Sequence, residues 1–241
     1  MTVYVCKDMI RYRTTWANTC QIVIGLLIFF LGCTPGKEPE TGLSAYYFPI
    51  ETFPPEGATY IFQNRLDSLA DPEIWKYRKT GPGRMVSINM DAEGNELLYQ
   101  YDRVVPNGIV TDSLILLFQD SLGQKQKLPV KVISPNRFPF DAVDSSKVWL
   151  THLDWYQPED SLHVVLERRR RFMGYTEWVK DGKAVPAVRF RTEDKFETER
   201  DGWTTSMWSG EEIYAKGIGL VYYKRHISDQ MVLEFGLVQQ K

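Results

Sequence analysis

The feature that most constrains the fold is a two-residue alternation of apolar and polar side chains along the chain after residue 42. It is clearest in four segments, 96–102, 128–133, 161–167 and 231–238. Because successive side chains of a strand point to opposite faces of a sheet, this alternation predicts half-buried antiparallel strands. In the first segment it places Leu97, Tyr99 and Tyr101 together on one apolar face.

Turn signals separate the alternating segments. Asp181-Gly182, between residues 175–180 and 183–190, is the sequence pattern of a two-residue hairpin loop. Further turns are predicted at 91–95, 121–123 and 201–202. Short helical turns are expected only in segments 63–73 and 141–146.

Together these patterns predict an all-β, antiparallel domain over residues 43–241, a length that suits a single domain. We expect about ten to twelve strands. Because a sheet of that size tends to curl or close, the predicted architecture is a strongly curved sheet, a half-barrel or a small barrel. A two-sheet sandwich is the alternative.

The first 32 residues have the layout of a secretory signal peptide. A basic segment containing Lys7, Arg11 and Arg13 precedes an uninterrupted apolar run at 22–31. A helix that spans a bilayer needs about 20 apolar residues, so this run is too short for a permanent anchor. Either Met1 or Met9 fits as the initiating residue.

The pair Gly32-Cys33, which follows the apolar run, resembles the lipobox of bacterial lipoproteins. The resemblance implies cleavage between Gly32 and Cys33 and attachment of lipid to the Cys33 thiol. Phe30 departs from the family's usual leucine. The alternative is an ordinary signal peptide cut nearby, which would leave Cys33 as a free thiol. Cys6 and Cys20 both precede Cys33, so the predicted mature chain has no other cysteine.

Residues 33–42 form the predicted lipidated N-terminus and a flexible tether rich in proline and glycine. By the sorting rule of lipoproteins, Thr34 after the cysteine favours the outer membrane over the inner membrane. The nearby Lys37, Glu38 and Glu40 resemble a signal for export to the cell surface. A charged, disordered tether explains them equally well, so the periplasmic face and the cell surface both stay open.

Charge excludes one class of partner. Removing residues 1–32, which carry net +2, from a chain of net −2 leaves −4 for the mature protein. A nucleic-acid binder would show a basic excess, so we expect no nucleic-acid partner. The expected partners are the membrane, reached through the lipid anchor, and an envelope protein, a glycan or a lipid.

The most concentrated charge after the signal peptide is an unbroken run of four arginines, Arg168, Arg169, Arg170 and Arg171. In a strand, two of them would face each side of the sheet. One interpretation is an anion contact with a lipid headgroup, lipopolysaccharide or an acidic glycan. The other, which we favour, is cross-strand pairing with acids. The candidate acids are Glu193, Asp194, Glu197 and Glu199.

No recognisable catalytic, metal or cofactor motif stands out. His152 and His163 flank a turn and fit neighbouring strands, but they lack the further ligands of a zinc site. Ser209-Gly210 has no nucleophile-elbow frame. Asp91, Glu93 and Asn95 alternate as calcium ligands do, yet a hairpin tip explains the same residues. We therefore predict no catalytic residue, no metal and no cofactor.

Two features of the C-terminal half leave alternatives open. The tryptophans there suit either the core of a large β-domain or the floor of a sugar- or lipid-binding groove; they are Trp149, Trp155, Trp178, Trp203 and Trp208. The stretch 217–221, Gly-Ile-Gly-Leu-Val, predicts a bend or bulge. With the apolar strand after it, the stretch resembles the C-terminal hairpin of curved-sheet envelope proteins, which include uncharacterised lipoproteins and, more distantly, half-barrel lipoprotein carriers.

The leading hypothesis is a non-enzymatic, lipid-anchored envelope protein that binds a ligand or partner. A carrier of acyl chains or lipoproteins with an open half-barrel cavity is the alternative, and an envelope hydrolase is third. A cavity lined by leucine, valine and aromatic side chains would favour the carrier, whereas a filled core would favour a binding or structural module.

Overall fold

The computed structural model describes residues 42–120, 123–141, 144–158 and 161–241, which form twelve antiparallel strands closed into one barrel. The strands are β1 (Ala58–Asn64), β2 (Glu73–Gly81), β3 (Arg84–Met90), β4 (Glu96–Val105), β5 (Gly108–Gln119), β6 (Lys125–Pro139), β7 (Val148–Gln157), β8 (Leu162–Lys180), β9 (Lys183–Glu199), β10 (Trp203–Ala215), β11 (Gly219–Ser228) and β12 (Met231–Gln240). The predicted signal peptide, with Gly32 and Cys33, lies outside the described residues.

Each strand pairs with its neighbour in sequence, and β1 pairs with β12 to close the ring. The closing pairs include Phe62 with Leu237 and Gln63 with Gly236. Closure leaves no unpaired sheet edge, which is the usual way a large antiparallel sheet avoids edge-to-edge association. The all-β prediction of ten to twelve antiparallel strands is confirmed in its small-barrel form, and the two-sheet sandwich is wrong.

The predicted hairpin at Asp181-Gly182 is confirmed. Strand β8 ends at Lys180 and β9 begins at Lys183, and these two residues are paired. Asp181 and Gly182 both have positive φ, 50° and 74°. Positive φ at both central residues is the signature of the type I′ turn, whose twist matches that of the strands it joins.

The two segments that could hold short helical turns contain single hydrogen-bonded turns, from Ala70 N–H to the Asp67 carbonyl at 3.3 Å and from Lys147 N–H to the Asp144 carbonyl at 3.2 Å. The described part of 63–73 and 141–146 holds no helix; the short 3-10 helices are Ser44–Tyr46 and Ile50–Thr52, both before β1. After β1, the Asn64 side-chain oxygen accepts hydrogen bonds from the N–H groups of Leu66 and Asp67 at 2.9 and 3.1 Å. Such local bonds offer the backbone an alternative to a helix.

One end of the barrel, here called the aromatic end, is filled by the segment that precedes β1. Phe48 stacks on Tyr77 with ring centroids 4.1 Å apart, and Tyr47 packs on Phe138 at 5.1 Å. Two backbone hydrogen bonds hold the segment in place. Leu43 N–H donates to the Phe140 carbonyl at 2.9 Å, and Gly217 N–H donates to the Ala45 carbonyl at 2.8 Å. The rings buried with it include Tyr60, Phe62, Phe172, Phe190 and Tyr214.

A second apolar cluster lies farther along the same strands. Its buried residues are Leu114, Val130 and Leu153, and Leu98, Leu116, Val132, Trp155 and Leu166 pack against them. We call it the aliphatic cluster. Within the described residues, none of the helices is both long and apolar enough to cross a bilayer.

Strand β4 shows the opposite orientation to the one its sequence predicts. Leu97 and Tyr101 are 41% and 37% exposed, whereas Gln100 and Asp102 are buried inside the barrel. The apolar face of this strand therefore points outward. The inward face delivers polar groups to the interior, between the aromatic end and the aliphatic cluster.

Candidate ligand-binding lumen

A layer of buried charged and polar side chains crosses the barrel between the two apolar regions. Strand β8 supplies Arg168 and Arg170, which lie two residues apart and therefore share the inward face with Leu166 and Phe172. Arg170 is 1% exposed, whereas the side chain of Arg169 between them is 55% exposed. The alternation thus splits the arginine run between the two faces of the sheet, as predicted.

Arg168 forms a two-point ion pair with Asp194. Its Nε and Nη2 lie 2.7 and 2.6 Å from the two carboxylate oxygens, and the two residues are paired across β8 and β9. Parallel bonds of this kind are among the strongest hydrogen bonds in proteins. Burial acts to raise the pKa of Asp194, but the Arg168 guanidinium outweighs it and holds that pKa below its usual value.

Arg170 pairs with Glu212 on β10. Its Nε lies 2.8 Å from Oε2 and its Nη2 3.3 Å from Oε1, while Nη1 donates to the Arg137 carbonyl at 3.1 Å. The Tyr214 hydroxyl donates to Glu212 Oε2 at 3.0 Å. Burial acts to raise the pKa of Glu212, and the guanidiniums of Arg170 and Arg168 more than offset it, so the carboxylate stays ionised.

The third buried acid, Asp102 on β4, is held by neutral donors. It accepts hydrogen bonds from the Tyr47 hydroxyl at 3.1 Å, from Gln100 Nε2 at 2.8 and 3.0 Å, and from Thr111 Oγ1 at 2.9 Å. Tyr47 belongs to the segment that fills the aromatic end. This network ties that segment to the polar layer and satisfies the carboxylate without an ion pair from any described residue.

A cavity of about 270 Å³ lies between the polar layer and the aliphatic cluster. Its walls combine aliphatic side chains, including Leu98, Leu114, Val130 and Leu153, with five charged residues. The charged residues are Glu73, Arg137, Arg168, Glu212 and Arg225. The cavity is therefore amphipathic, with an apolar side and a charged side.

Three residues that line this cavity carry buried polar atoms without a hydrogen-bond partner among the described residues. They are Glu73 Oε2, Arg137 Nε and Trp155 Nε1. Buried polar groups in folded proteins are nearly always paired, so these three are expected to bond to something within the cavity. Ordered water or the polar atoms of a ligand can supply those bonds.

Of the four acids expected to pair with the arginine run, Asp194 alone does so within the described residues. Glu197 pairs with Lys195 at 2.8 Å, and Glu199 lies 3.7 Å from His163. Glu193 lies 3.4 Å from Arg191, a residue outside the run. The acid that pairs with Arg170 is Glu212, which is distant in sequence and was not predicted.

The outward members of the run, Arg169 and Arg171, line a second cavity of about 240 Å³ with Val148, Arg170, Arg191 and Glu193. Arg169 contacts Glu167 at 3.2 Å. Arg171 is paired directly across the sheet with Arg191, so two like charges face each other there. This surface is where the run would contact an anion under the less favoured interpretation.

Of the remaining candidate residues, Ser209 lies opposite His226 across β10 and β11. His152 and His163 do lie on neighbouring strands, as predicted, and His163 Nε2 lies 2.7 Å from Asp154 Oδ1. No group of three potential metal ligands occurs in the part that the structure describes. Asp91 accepts two hydrogen bonds from Asn95 at a hairpin tip.

The tryptophans were expected either in the core or on the floor of a binding groove, and they differ in where they lie. Trp155 lines the lumen cavity and packs on the aliphatic cluster, and Trp149 packs on the core of the aromatic end. Trp203 is 57% exposed and lies edge-on to His163. The first residues of the glycine-rich stretch form the turn between β10 and β11, and the stretch continues into β11 from Gly219; Gly217 and Gly219 have positive φ.

Sequence reasoning missed most of the polar layer, including Arg137, Glu212, Gln100 and Asp102. For β8 a signal was present, because Arg168 and Arg170 fall on the same alternating face as Val164 and Leu166. A charged residue on an apolar face predicts either a buried pair or a site. The sequences of the other strands contain no comparable signal of a buried charged residue.

The fold and site define a closed antiparallel barrel with a charged layer and an amphipathic cavity in its interior. Two solved structures resemble it: a protein described as a lipoprotein from Parabacteroides distasonis and a protein described as exported, with a YmcC-like fold, from Bacteroides fragilis. The first is 13% identical, with TM-score 0.47, and the match covers 78% of this chain and 97% of the other. The second is 14% identical, with TM-score 0.48 and coverages of 78% and 98%. No family model and no curated protein matches the chain.

Proposed function

We propose that the chain is a lipid-anchored protein of the bacterial cell envelope that binds a small amphipathic ligand in the lumen of its barrel. The observation on which the proposal depends is the lumen cavity, which brings buried, unpartnered polar atoms of Glu73, Arg137 and Trp155 against aliphatic walls. A ligand with one polar end and one apolar end satisfies both surfaces at once.

The volume of the cavity limits the size of the ligand. Pockets that hold drug-sized molecules are about 300–1,000 Å³, so a cavity of about 270 Å³ suits a smaller molecule or one end of a larger one. A carrier of acyl chains is the second candidate, favoured by the aliphatic wall around Leu114 and Val130. The volume suits part of a long acyl chain and not its whole length.

A binding role is favoured over catalysis by the chemistry of the cavity wall. Among the described residues that line it there is no serine, cysteine or histidine, the usual nucleophiles and bases. Glu212 is tied to Arg170, and its pKa is held far below neutrality, where it is a poor general base. The lumen therefore offers recognition groups and few reactive ones.

The anchor and location rest on the N-terminal sequence. Cys33 after Gly32 is the proposed lipidated residue, released as a new N-terminus when residues 1–32 are removed. Thr34 favours the outer membrane, and the face of that membrane stays open. The lipid would hold the barrel at the membrane through the tether, where it meets membrane-derived small molecules.

Binding of a neutral probe tests the proposal without assuming the charge of the ligand. We expect saturable binding of radiolabelled 1-octanol to the full chain in lipid nanodiscs, measured by equilibrium dialysis against empty nanodiscs. Leu114→Phe and Leu116→Phe, which fill the apolar side, should each weaken it about tenfold. The control Ile133→Phe, at a half-exposed position of β6, should leave it unchanged. Absence of saturable binding to the wild type would contradict the proposal.

A further inference from the structure

Among the described residues, three arginines and two acids line the lumen cavity. Arg168 and Arg170 are bound by Asp194 and Glu212, which leaves Arg137 and Arg225 as the other arginines of the polar layer. Within the described residues, neither has a carboxylate within ion-pair distance. Both line the cavity.

Arg137 reaches the lumen because strand β6 has a bulge at this residue. Opposite β5, Ile109 pairs with Phe138 and Val110 pairs with Asn136, so Arg137 is the extra residue between them. Phe138 is buried in the aromatic end, and Arg137 lines the cavity; two successive residues therefore both contact the interior. Bulges redirect single side chains in this way and are frequent beside binding sites.

The position of Arg137 leaves one of its hydrogen-bond donors available to a ligand. Its carbonyl is bonded to Arg170, but its Nε is buried with no hydrogen-bond partner among the described residues. Burying a guanidinium donor without an acceptor costs free energy, and an anion is the partner whose hydrogen bond offsets this cost most fully.

The other cavity-lining arginine without an ion pair among the described residues is Arg225, and its surroundings differ from those of Arg137. Arg225 lies over the Tyr223 ring at 5.1 Å, and burial, followed by the charge of Arg168, lowers its pKa to about 10. The one remaining acid on the cavity wall is Glu73. Burial raises its pKa, while the charges of Arg225 and Arg168 act to lower it.

We infer that the luminal ligand is an amphipathic anion of the carboxylate class, with its charged head at Arg137 and its apolar tail along the aliphatic cluster. This inference rests on the proposed function and adds to it the charge and orientation of the ligand. A carboxylate presents two acceptors to the fork of a guanidinium, and the tail then lies against Leu114, Val130 and Leu153.

Three probes of equal chain length test the charge of the ligand. We would measure the binding of octanoate, 1-octanol and octylammonium to the full chain in nanodiscs, with empty nanodiscs as the reference. Octanoate should bind on the order of tenfold or more tightly than 1-octanol, because a hydrogen bond to a charged group is worth more than one between neutral groups. Octylammonium should bind more weakly than 1-octanol.

Arg137→Gln tests the position of the head. It should weaken octanoate binding by about tenfold or more and leave 1-octanol binding intact, which also shows that the variant is folded with its cavity open. Arg169→Gln, on the outer face of β8, is the matched control and should bind all three probes like the wild type.

The outcomes separate this inference from the proposed function. Equal binding of octanoate and 1-octanol, or an Arg137→Gln variant that binds octanoate like the wild type, would overturn the anionic assignment and leave the cavity as a neutral site. Failure of all three probes to bind would overturn the proposed function itself.

Discussion

Arg168 and Asp194 face each other across β8 and β9 and form a two-point ion pair inside the barrel, at 2.7 and 2.6 Å. The Asp194 side chain is 2% exposed, so its charge has no access to water that could replace Arg168. Breaking a buried pair by removing one charge typically costs about 3–5 kcal/mol, because the other charge is left uncompensated.

Asp194→Asn should therefore lower the free energy of unfolding by about 3–5 kcal/mol, measured by urea titration. The change is nearly isosteric, so loss of charge and not loss of volume causes the effect. Glu193→Gln, on the adjacent outward position of β9, should cost no more than about 1 kcal/mol. Equal effects at the two positions would show that the inner pair contributes no more than a surface contact.

Stability should fall in acid because of the buried acids. Asp194 and Glu212 have folded-state pKa values below their ordinary values, against reference values of about 3.9 and 4.3 for unfolded chains. Their contribution is fully present above the unfolded pKa and is lost as pH falls toward the folded pKa. We expect a flat free energy of unfolding between about pH 7 and 5 and a decline below about pH 4.

Glu212→Gln isolates the contribution of Glu212 to this pH dependence. The variant should be less stable at neutral pH and should show a shallower acid decline than the wild type, because one of the protons taken up on unfolding is removed. Urea titrations at several pH values measure both quantities, with Glu193→Gln as the exposed control. An unchanged acid slope in Glu212→Gln would mean that other carboxylates determine it.

Gly219 should tolerate no side chain, because Phe48 of the N-terminal segment lies against it. A Cβ at this position would lie 2.4 Å from Phe48 Cδ1, and the residue has φ +100°. Gly217, in the same turn, has φ +71° and open space around it. Gly217→Ala should cost about 1–2 kcal/mol through its backbone alone.

Gly219→Ala should cost at least about 1 kcal/mol more than Gly217→Ala, because the steric conflict with Phe48 is added to the backbone strain. The difference between the urea midpoints of the two variants measures how tightly the segment that precedes β1 packs on the barrel. Equal costs would indicate that Phe48 moves aside freely and that the aromatic end is loosely filled.

The outer arginines should matter little to stability. Arg171 faces Arg191 across the sheet, an unfavourable arrangement of like charges, and Arg169 has only an exposed contact with Glu167. The double variant Arg169→Gln/Arg171→Gln should therefore change the free energy of unfolding by no more than about 0.5 kcal/mol.

The same double variant decides whether the outer run is an anion contact. With Cys33→Ala in both proteins to remove the lipid, we expect no difference in binding to anionic vesicles. Binding by the parent protein that weakens steeply with salt and disappears in the double variant would establish the anion contact instead.

Membrane retention should depend on Cys33. Each buried methylene contributes about 0.8 kcal/mol, and stable anchoring requires more than one acyl chain. Cys33→Ala should either release the barrel into the soluble envelope fraction or leave the precursor uncleaved, as judged by fractionation and mass. Retention of a correctly cleaved Cys33→Ala protein in the membrane would rule out the lipid anchor.

Much of the barrel could be predicted from the sequence because strands and turns are indicated by residues that lie close together in the chain. The alternation in β6 and β8 and the Asp181-Gly182 turn depend on neighbouring residues, and the structure confirms both. The face of β4 could not be predicted. Its apolar residues point outward because Asp102 is satisfied inside by Tyr47, Gln100 and Thr111, which lie up to 55 positions away in sequence.

The sequence by itself determined that this chain is an antiparallel β-protein, and it predicts a signal peptide before Cys33, because period-two patterning, turn residues and the Gly32-Cys33 pair are readable over a few positions. Only the tertiary structure decided that the sheet closes through β1 and β12 and that Glu212 pairs with Arg170. It alone also showed that a bulge turns Arg137 into the lumen. These outcomes depend on register and on contacts between distant strands, where a shift of one residue reverses which side chains face inward.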